Sequence, residues 1–288
     1  MPKPITISEP AKLLEHLFAS WPDLKKKQIR TWLKFQAVLV NGRPVTQFDH
    51  PLSPGDVVAI RSDPHAVPQK MPGGILKIWF EDSQLIVIDK PSGLLSTANI
   101  GEQEKTVYIQ LCEYLESPSG QPGRIFVIHR LDKETSGLMV FAKTLEAKEK
   151  VLATWDNTEK KYEAAVEGRL PAETGSFDSF LDESNPFKVY AVTRKGAGTH
   201  ALTYYHVLAT ALKRTLVELS MKTSCRHQAR FHLSEAGCPI IGDGKYGAKT
   251  DSASRLALHA TGLTFPHPKT GKDMAFISPM PKELVKLV

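Results

Sequence analysis

The stretch HRLDKETSGLMVFAK, residues 129–143, joins a charged turn to an apolar run and is the most informative segment of this chain. Asp132 lies between the cations Arg130 and Lys133. Such an aspartate should remain ionised at neutral pH, and an ionised carboxylate can attack carbon or accept a proton. The apolar residues that follow predict a buried strand. Taken alone, the same turn is also typical of a protein surface whose charges merely pair.

Three further segments occur in a recognisable order around this stretch. They are DKPSG (residues 89–93) before it, KYEA (161–164) after it, and HQAR (227–230) running into GDGKYG (242–247). The 129–143 stretch resembles the signature motif of the RluA family of pseudouridine synthases at nearly every position, and the other segments follow the family's order. The resemblance spans residues 76–275.

The resemblance implies isomerisation of uridine to pseudouridine within RNA, a reaction that must extract the nucleotide from its stack. Asp132 would be the reacting carboxylate, and neither a metal nor a redox cofactor is required. Tyr162 matches the family's active-site tyrosine, whose ring can stack on the base and whose hydroxyl can carry a proton. Arg230 matches the arginine that pairs with the catalytic aspartate. Arg130 matches the residue that fills the space left by the extruded base.

The residues themselves leave simpler alternatives open. Tyr162 on its own would fit an inward-facing strand aromatic, and Arg230, on a helix predicted to begin near Arg226, would fit a solvated surface. The family commonly has Thr-Gly-Arg-Thr-His-Gln-Ile-Arg where this chain has TSCRHQAR, residues 223–230. Cys225 therefore occupies the first arginine position. We expect Arg230 to keep its role and assign none to Arg226.

Charge and composition favour a folded protein with an RNA partner. The 288 residues carry a net charge of +6, which favours binding to a polyanion. With 24% charged and 41% hydrophobic residues, the composition is that of a globular chain, and its length predicts about two domains. The N-terminus lacks the long apolar segment of a secretory signal or a membrane span. We therefore expect a cytoplasmic protein with no membrane partner.

The first sixty or so residues predict a separate module. Apolar residues recur with helical spacing at 13–18 and again at 29–33, on either side of a Trp-Pro-Asp break. Asn41-Gly42 between two apolar runs predicts a hairpin, and a strand is predicted at 56–60. This order resembles the small RNA-binding domain of the ribosomal-protein S-four type, which many RluA-type enzymes carry at this end.

A cationic stripe lies on the second predicted helix. Lys26, Arg30 and Lys34 stand four residues apart and share one helix face, with Lys27 beside them. Arg43 follows in the predicted hairpin. The stripe suits a phosphate backbone, although a solvated helix face is the alternative. The resemblance makes all five residues candidates for RNA binding.

The chain as a whole divides into three predicted parts. Residues 1–62 form the small RNA-binding domain, residues 63–74 a linker rich in proline and glycine, and residues 75–288 the catalytic domain. Strands are predicted at 75–80, 85–89, 125–128, 161–167, 201–208 and 215–221, and helices at 107–115 and 145–155. Strands that recur without regular intervening helices indicate an α+β domain with a mixed, mainly antiparallel sheet.

These features together predict an isomerase that acts on structured RNA. The expected partner is large-subunit ribosomal RNA, with transfer RNA as the second choice, and no obligate protein partner is inferred. Residues 95–98 replace the family's usual Val-His-Pro and are predicted to lie in an RNA-facing loop. The alternative is a non-catalytic RNA-binding or ribosome-associated protein on the same fold. The joint presence of Asp132, Tyr162 and Arg230 favours the enzyme.

Overall fold

A computed structural model describes residues 4–34, 37–41, 43–60, 69–71, 74–98, 105–116, 121, 123–193 and 197–288, and for residues 34, 43, 44, 69 and 70 it describes the backbone alone. The chain divides into two compact units, residues 1–69 and 70–288. Residues 63–68, 72 and 73 of the predicted linker lie outside the described residues. The predicted domain boundaries therefore stay a prediction.

The described residues of the first unit form two helices and six short strands. Its elements are β1 (Ile5–Thr6), β2 (Ala11–Lys12), α1 (Leu13–Ser20), α2 (Lys26–Lys34), β3 (Val38–Val40), β4 (Arg43–Pro44), β5 (Pro51–Leu52) and β6 (Val57–Ile60). Strands pair in the order β1-β6-β3-β4, and β2 pairs with β5. Asn41, at the β3–β4 turn, has a positive φ of 51°, which asparagine tolerates. The two helices, the hairpin and the final strand predicted here are confirmed.

The remaining elements lie at residues 69–285. They are β7 (Gln69–Lys70), β8 (Lys77–Glu81), β9 (Leu85–Lys90), α3 (Val107–Tyr114), β10 (Phe126–Val127), β11 (Ser136–Ala142), α4 (Leu145–Ala153), β12 (Glu159–Glu167), β13 (Thr174–Asp182), β14 (Tyr190–Val192), β15 (Thr199–Ala211), β16 (Arg214–Met221), α5 (Gln228–Glu235), β17 (Leu258–Pro266), β18 (Asp273–Ile277) and α6 (Lys282–Val285). None of the helices in the described ranges is long and apolar enough to cross a membrane.

One large sheet organises the second unit. Its strand order is β14-β13-β15-β16-β12-β17-β11-β9-β8-β7, with β10 paired to β11 and β18 to β17. Among the pairings described for this sheet, β11 with β17 is parallel and the others are antiparallel. The predicted α+β class with a mixed, mainly antiparallel sheet is thus confirmed.

Strand β11 lies inside this sheet, between β17 and β9, and is buried along its whole length. Its apolar sequence suits burial on both faces. Gly137 adopts a φ of 117° and lies so close to Ala260 of β17 that a side chain would collide with the Ala260 backbone. This close approach fixes the start of β11, and Asp132 lies four residues before it.

Candidate active site

A cavity of about 560 Å³ opens beside the turn that precedes β11. Asp132 and Arg130 line it from this turn, Tyr162 from β12, and Arg230 from α5. The fold thus brings together four residues that the sequence analysis proposed and that are spread over a hundred positions. A cavity of this size suits a small ligand or one extruded nucleotide.

Buried polar groups fix the backbone of the turn that carries Asp132. Ser96 Oγ donates to the Leu131 carbonyl at 2.7 Å and accepts from the Leu131 amide at 3.2 Å. Lys90 Nζ donates to the Lys133 carbonyl at 2.9 Å. Ser96 itself is buried, whereas Leu95 and Thr97 beside it line the cavity, and the RNA-facing position of this loop stays a prediction. The physical role of Ser96 is to fix the backbone on one side of Asp132.

Arg230 joins Asp132 to a second carboxylate. Its Nη1 donates to Asp132 Oδ2 at 3.2 Å, while Nε and Nη2 donate to the two oxygens of Asp243 at 2.7 and 2.8 Å. Arg230 is 7% exposed and Asp243 2% exposed. Burial alone would lower the pKa of Arg230, but the Asp243 and Asp132 carboxylates raise it above its ordinary value. The bidentate bond fixes the guanidinium plane and therefore the direction from which it meets Asp132.

This geometry settles two points of the sequence analysis. The cation hydrogen-bonded to Asp132 is Arg230, which lies 98 positions further along the chain. The family resemblance implied this pairing, whereas the residues around Asp132 by themselves pointed only to Arg130 and Lys133. The alternative of a solvated Arg230 is wrong, because helix α5 begins at Gln228 and buries its first turn. Asp243 was missed, although it lies within the quoted GDGKYG segment.

His227 is a further neighbour of Asp132. Its Nε2 lies 3.8 Å from Asp132 Oδ2, and its Nδ1 lies 3.0 Å from the Tyr246 hydroxyl. That hydroxyl also accepts the Val189 amide at 3.0 Å. Burial lowers the pKa of His227 to about 4 despite the opposing charge of Asp132. The neutral imidazole thus lies between the two groups, with Nε2 facing Asp132 and Nδ1 facing the Tyr246 hydroxyl.

Tyr162 forms part of the cavity wall and is partly buried between the two main hydrophobic clusters of this unit. Burial, together with the charge of Asp132, raises the pKa of Tyr162 above its usual range. The phenol therefore stays protonated at neutral pH. Its ring offers a stacking face and its hydroxyl a hydrogen-bond donor at the wall of the cavity.

Arg226 has a role that the sequence analysis did not assign. Its guanidinium donates to the carbonyls of Glu183 and Pro186, each at 3.0 Å, and to that of Asn185. Its backbone amide donates to Glu183 Oε1 at 2.6 Å. Arg226 therefore holds the loop after β13 against the entrance of α5. Cys225, at the family's first arginine position, is buried.

The cationic stripe of the first unit is exposed. Lys26, Lys27 and Arg30 point to solvent, whereas Ile29 is buried. Lys26 Nζ and Arg30 Cζ lie 5.5 and 5.3 Å from the centre of the Phe18 ring on α1. The side chains of Lys34 and Arg43 lie outside the described part of the structure. The stripe is a surface on which cations rest against one aromatic ring.

Comparison with known proteins identifies the family. Residues 84–235 match the family model described as RNA pseudouridylate synthase. The chain is 33% identical over 294 residues to an uncharacterized RNA pseudouridine synthase of Bacillus subtilis (strain 168), covering 99% of this chain and 96% of that one. It is 31% identical over 297 residues to ribosomal large subunit pseudouridine synthase D of Escherichia coli (strain K12), covering 96% and 89%.

A solved structure agrees with these matches. The human RNA pseudouridylate synthase domain containing 4 is 27% identical, with a TM-score of 0.59 over 72% of this chain and 90% of that one. The chain therefore belongs to the RluA-type family of RNA pseudouridylate synthases. It is an isomerase that converts uridine to pseudouridine in RNA, as the resemblance implied.

Proposed function

We propose that this enzyme modifies uridine in large-subunit ribosomal RNA and that Asp132 is its reacting carboxylate. The observation that carries the proposal is the position of Asp132 in the cavity wall, where Arg230 binds one of its oxygens and buried groups fix its backbone. A carboxylate held in one direction is suited to attack or to stabilise one developing positive centre. The choice of RNA rests on relatives named as large-subunit synthases.

The reaction breaks the bond from ribose C1′ to N1, turns the base and forms a bond from C1′ to C5. N1 gains a proton and C5 loses one, so atoms balance without an oxidant or a cofactor. Asp132 supplies the anion for the glycosidic step. Tyr162 supplies a stacking face that retains the detached base, and its protonated hydroxyl donates to the base. Arg230 orients Asp132.

Recognition of the RNA is assigned to cations outside the reacting centre. Arg130 is exposed at the cavity and would occupy the space left by the extruded base. Residues 1–62 would act as a small RNA-binding domain whose stripe of Lys26, Lys27, Arg30 and Lys34, together with Arg43, binds phosphates. A cytoplasmic location stays a prediction.

Pseudouridine mapping of total RNA from cells with and without this gene tests the proposal. We expect the deletion to remove one or more pseudouridines from large-subunit ribosomal RNA. The wild-type gene should restore them and an Asp132→Asn gene should not. Loss from transfer RNA alone would overturn the choice of substrate. Restoration by Asp132→Asn would overturn the assignment of Asp132.

The same experiment separates the enzyme from a non-catalytic RNA-binding protein. If the deletion removed no pseudouridine but altered ribosome assembly, and Asp132→Asn corrected that defect, the chain would act by binding alone. The buried Arg230–Asp243 pair behind the partly exposed Asp132 favours the enzyme, because a binding surface gains nothing from placing a carboxylate and a guanidinium out of water.

A further inference from the structure

Two buried lysines lie near the cavity, and they differ in how many of their protons are used. Lys90 is fully buried, and its Nζ donates to the carbonyls of Pro91, Leu94 and Lys133 at 3.1, 2.7 and 2.9 Å. An ammonium has three protons to donate. The hydrogen bonds of Lys90 are therefore complete, and its function is to hold the turn before β11.

Lys160 is 6% exposed and lines the cavity, yet the described residues provide its Nζ with one hydrogen bond, to Ser224 Oγ at 2.9 Å. The ammonium also lies 5.6 Å from the centre of the Trp155 ring. Within the described ranges no carboxylate lies within 4.0 Å of it. A buried cation with unused protons is costly unless a ligand completes its bonds.

Ser224 provides a second hydrogen-bond donor beside Lys160. Its oxygen accepts the proton of Lys160, so its own hydroxyl proton is left to donate. Burial lowers the pKa of Lys160, the charge of Asp156 opposes this shift, and Lys222 adds to it. Lys222 thus places a second positive charge near Lys160.

We propose that Lys160 and Ser224 form a subsite for a backbone phosphate of the RNA, next to the uridine that reacts. The proposal rests on the proposed function. Lys160 and Tyr162 lie two residues apart on β12 and face the same side of the sheet, which places them roughly 7 Å apart along the strand. A nucleotide stacked on Tyr162 has its flanking phosphates within this reach.

The test compares two lysines on one strand. Lys160→Met removes the charge but keeps an unbranched apolar stem over Trp155. Lys161→Met makes the same charge change on the opposite face, where the side chain is 38% exposed and lies 3.5 Å from Glu218. Lys160→Met should weaken RNA binding about tenfold, as expected for a charge-assisted hydrogen bond. It should also reduce the salt slope by about 0.7 to 0.9 units, the value for one neutralised phosphate.

A substrate with single phosphates neutralised then locates the contact. Methylphosphonate is placed in turn at each linkage flanking the target uridine. At one of these linkages it should weaken binding to the wild type but cause no further loss with Lys160→Met. Losses that add at every linkage, or equal losses from Lys160→Met and Lys161→Met, would overturn the proposal.

A purely structural role for Lys160 has a different signature. In that case Lys160→Met would lower the midpoint of thermal unfolding and leave the salt slope of RNA binding unchanged. This outcome would also overturn the proposal. Lys160→Arg should restore most of the salt slope, and Ser224→Ala should weaken binding less than Lys160→Met does. All these measurements report binding and require no turnover. If the wild-type enzyme formed no pseudouridine, the proposed function would be refuted, and the binding measurements could still be interpreted separately.

Discussion

Arg230 and the α2 stripe are both cationic, but their surroundings are opposite. Arg230 is buried and gives three hydrogen bonds to two carboxylates, so it has one position. Lys26 and Arg30 are exposed and rest against the Phe18 ring. Buried charges interact strongly and in a fixed direction, whereas exposed charges are screened within about 10 Å at 0.1 M salt. We infer that the first region supports chemistry and the second attracts RNA.

The largest expected effect is that of Asp132→Asn. The amide keeps the size of the side chain and an oxygen for Arg230 but cannot act as the anion. Loss of a reacting group of this kind lowers the rate by about four orders of magnitude. Tritium release from C5-labelled uridine in RNA measures it. The matched control is Asp178→Asn, whose side chain is 62% exposed on β13 and which should release tritium normally.

Substitution of Arg230 should have the next largest effect. Arg230→Lys keeps a cation beside the carboxylates but cannot make three planar hydrogen bonds, so we expect a rate loss of about 10²- to 10³-fold. The control, Arg214→Lys, changes an arginine that donates to the Leu287 carbonyl. It should leave the rate unchanged. A normal rate with Arg230→Lys would show that the fixed direction of the guanidinium is unimportant.

Arg230→Met should also destabilise the protein. The sequence alone leaves open a gain in stability, because a buried ion pair need not be stabilising. The structure adds Asp243, which would be left as a buried carboxylate without its cation. Breaking such a pair costs about 3 to 5 kcal/mol. The urea midpoint should therefore fall, and an unchanged midpoint would mean that Asp243 finds another partner.

Acid should weaken the second unit through its buried neutral histidines. His232 and His259 are 3% and 2% exposed, and burial lowers their pKa values to about 4 and about 3. Between pH 6.5 and 4 the unfolded chain binds more protons than the folded one. Stability therefore falls as the pH falls, by up to about 1.4 kcal/mol per pH unit for each histidine.

Urea unfolding at pH 7 and pH 5 measures this dependence. His232→Gln should reduce the loss of stability between the two pH values. His206→Gln, a change to an exposed histidine on β15, should leave that loss as it is in the wild type. Equal losses in all three proteins would show that His232 does not contribute to the acid sensitivity.

The stripe should have the smallest effect on chemistry. Changing Lys26, Arg30 and Lys34 to Gln should flatten the salt dependence of RNA binding by up to about 0.7 to 0.9 units for each phosphate that is no longer bound. Gln has a helix propensity close to those of Lys and Arg, so α2 should persist. The control variant changes three exposed lysines of the second unit to Gln, namely Lys269, Lys272 and Lys282. An unchanged salt slope in the variant of Lys26, Arg30 and Lys34 would show that the stripe is only a solvated helix face.

Sequence predicted the local features of this site better than its remote contacts. The apolar run of β11 and the turn carrying Asp132 follow from the order of residues alone. Asp243 does not, because a carboxylate between two glycines reads as an exposed turn until Arg230 is placed beside it. Strand β17 was not predicted, since it contains His259, Gly262 and Pro266. Its place is set by pairing with β11 and β12, which periodicity cannot indicate.

One titration tests most directly whether the active site carries out the chemistry while the α2 stripe only attracts the RNA. Single-turnover rate is measured against RNA concentration for the wild type, Asp132→Asn and the triple glutamine variant of Lys26, Arg30 and Lys34. The account predicts that the triple variant reaches the wild-type plateau at higher RNA concentration, and that Asp132→Asn stays near zero at every concentration while binding RNA normally. A triple variant with a collapsed plateau, or Asp132→Asn with a plateau near that of the wild type, would contradict it.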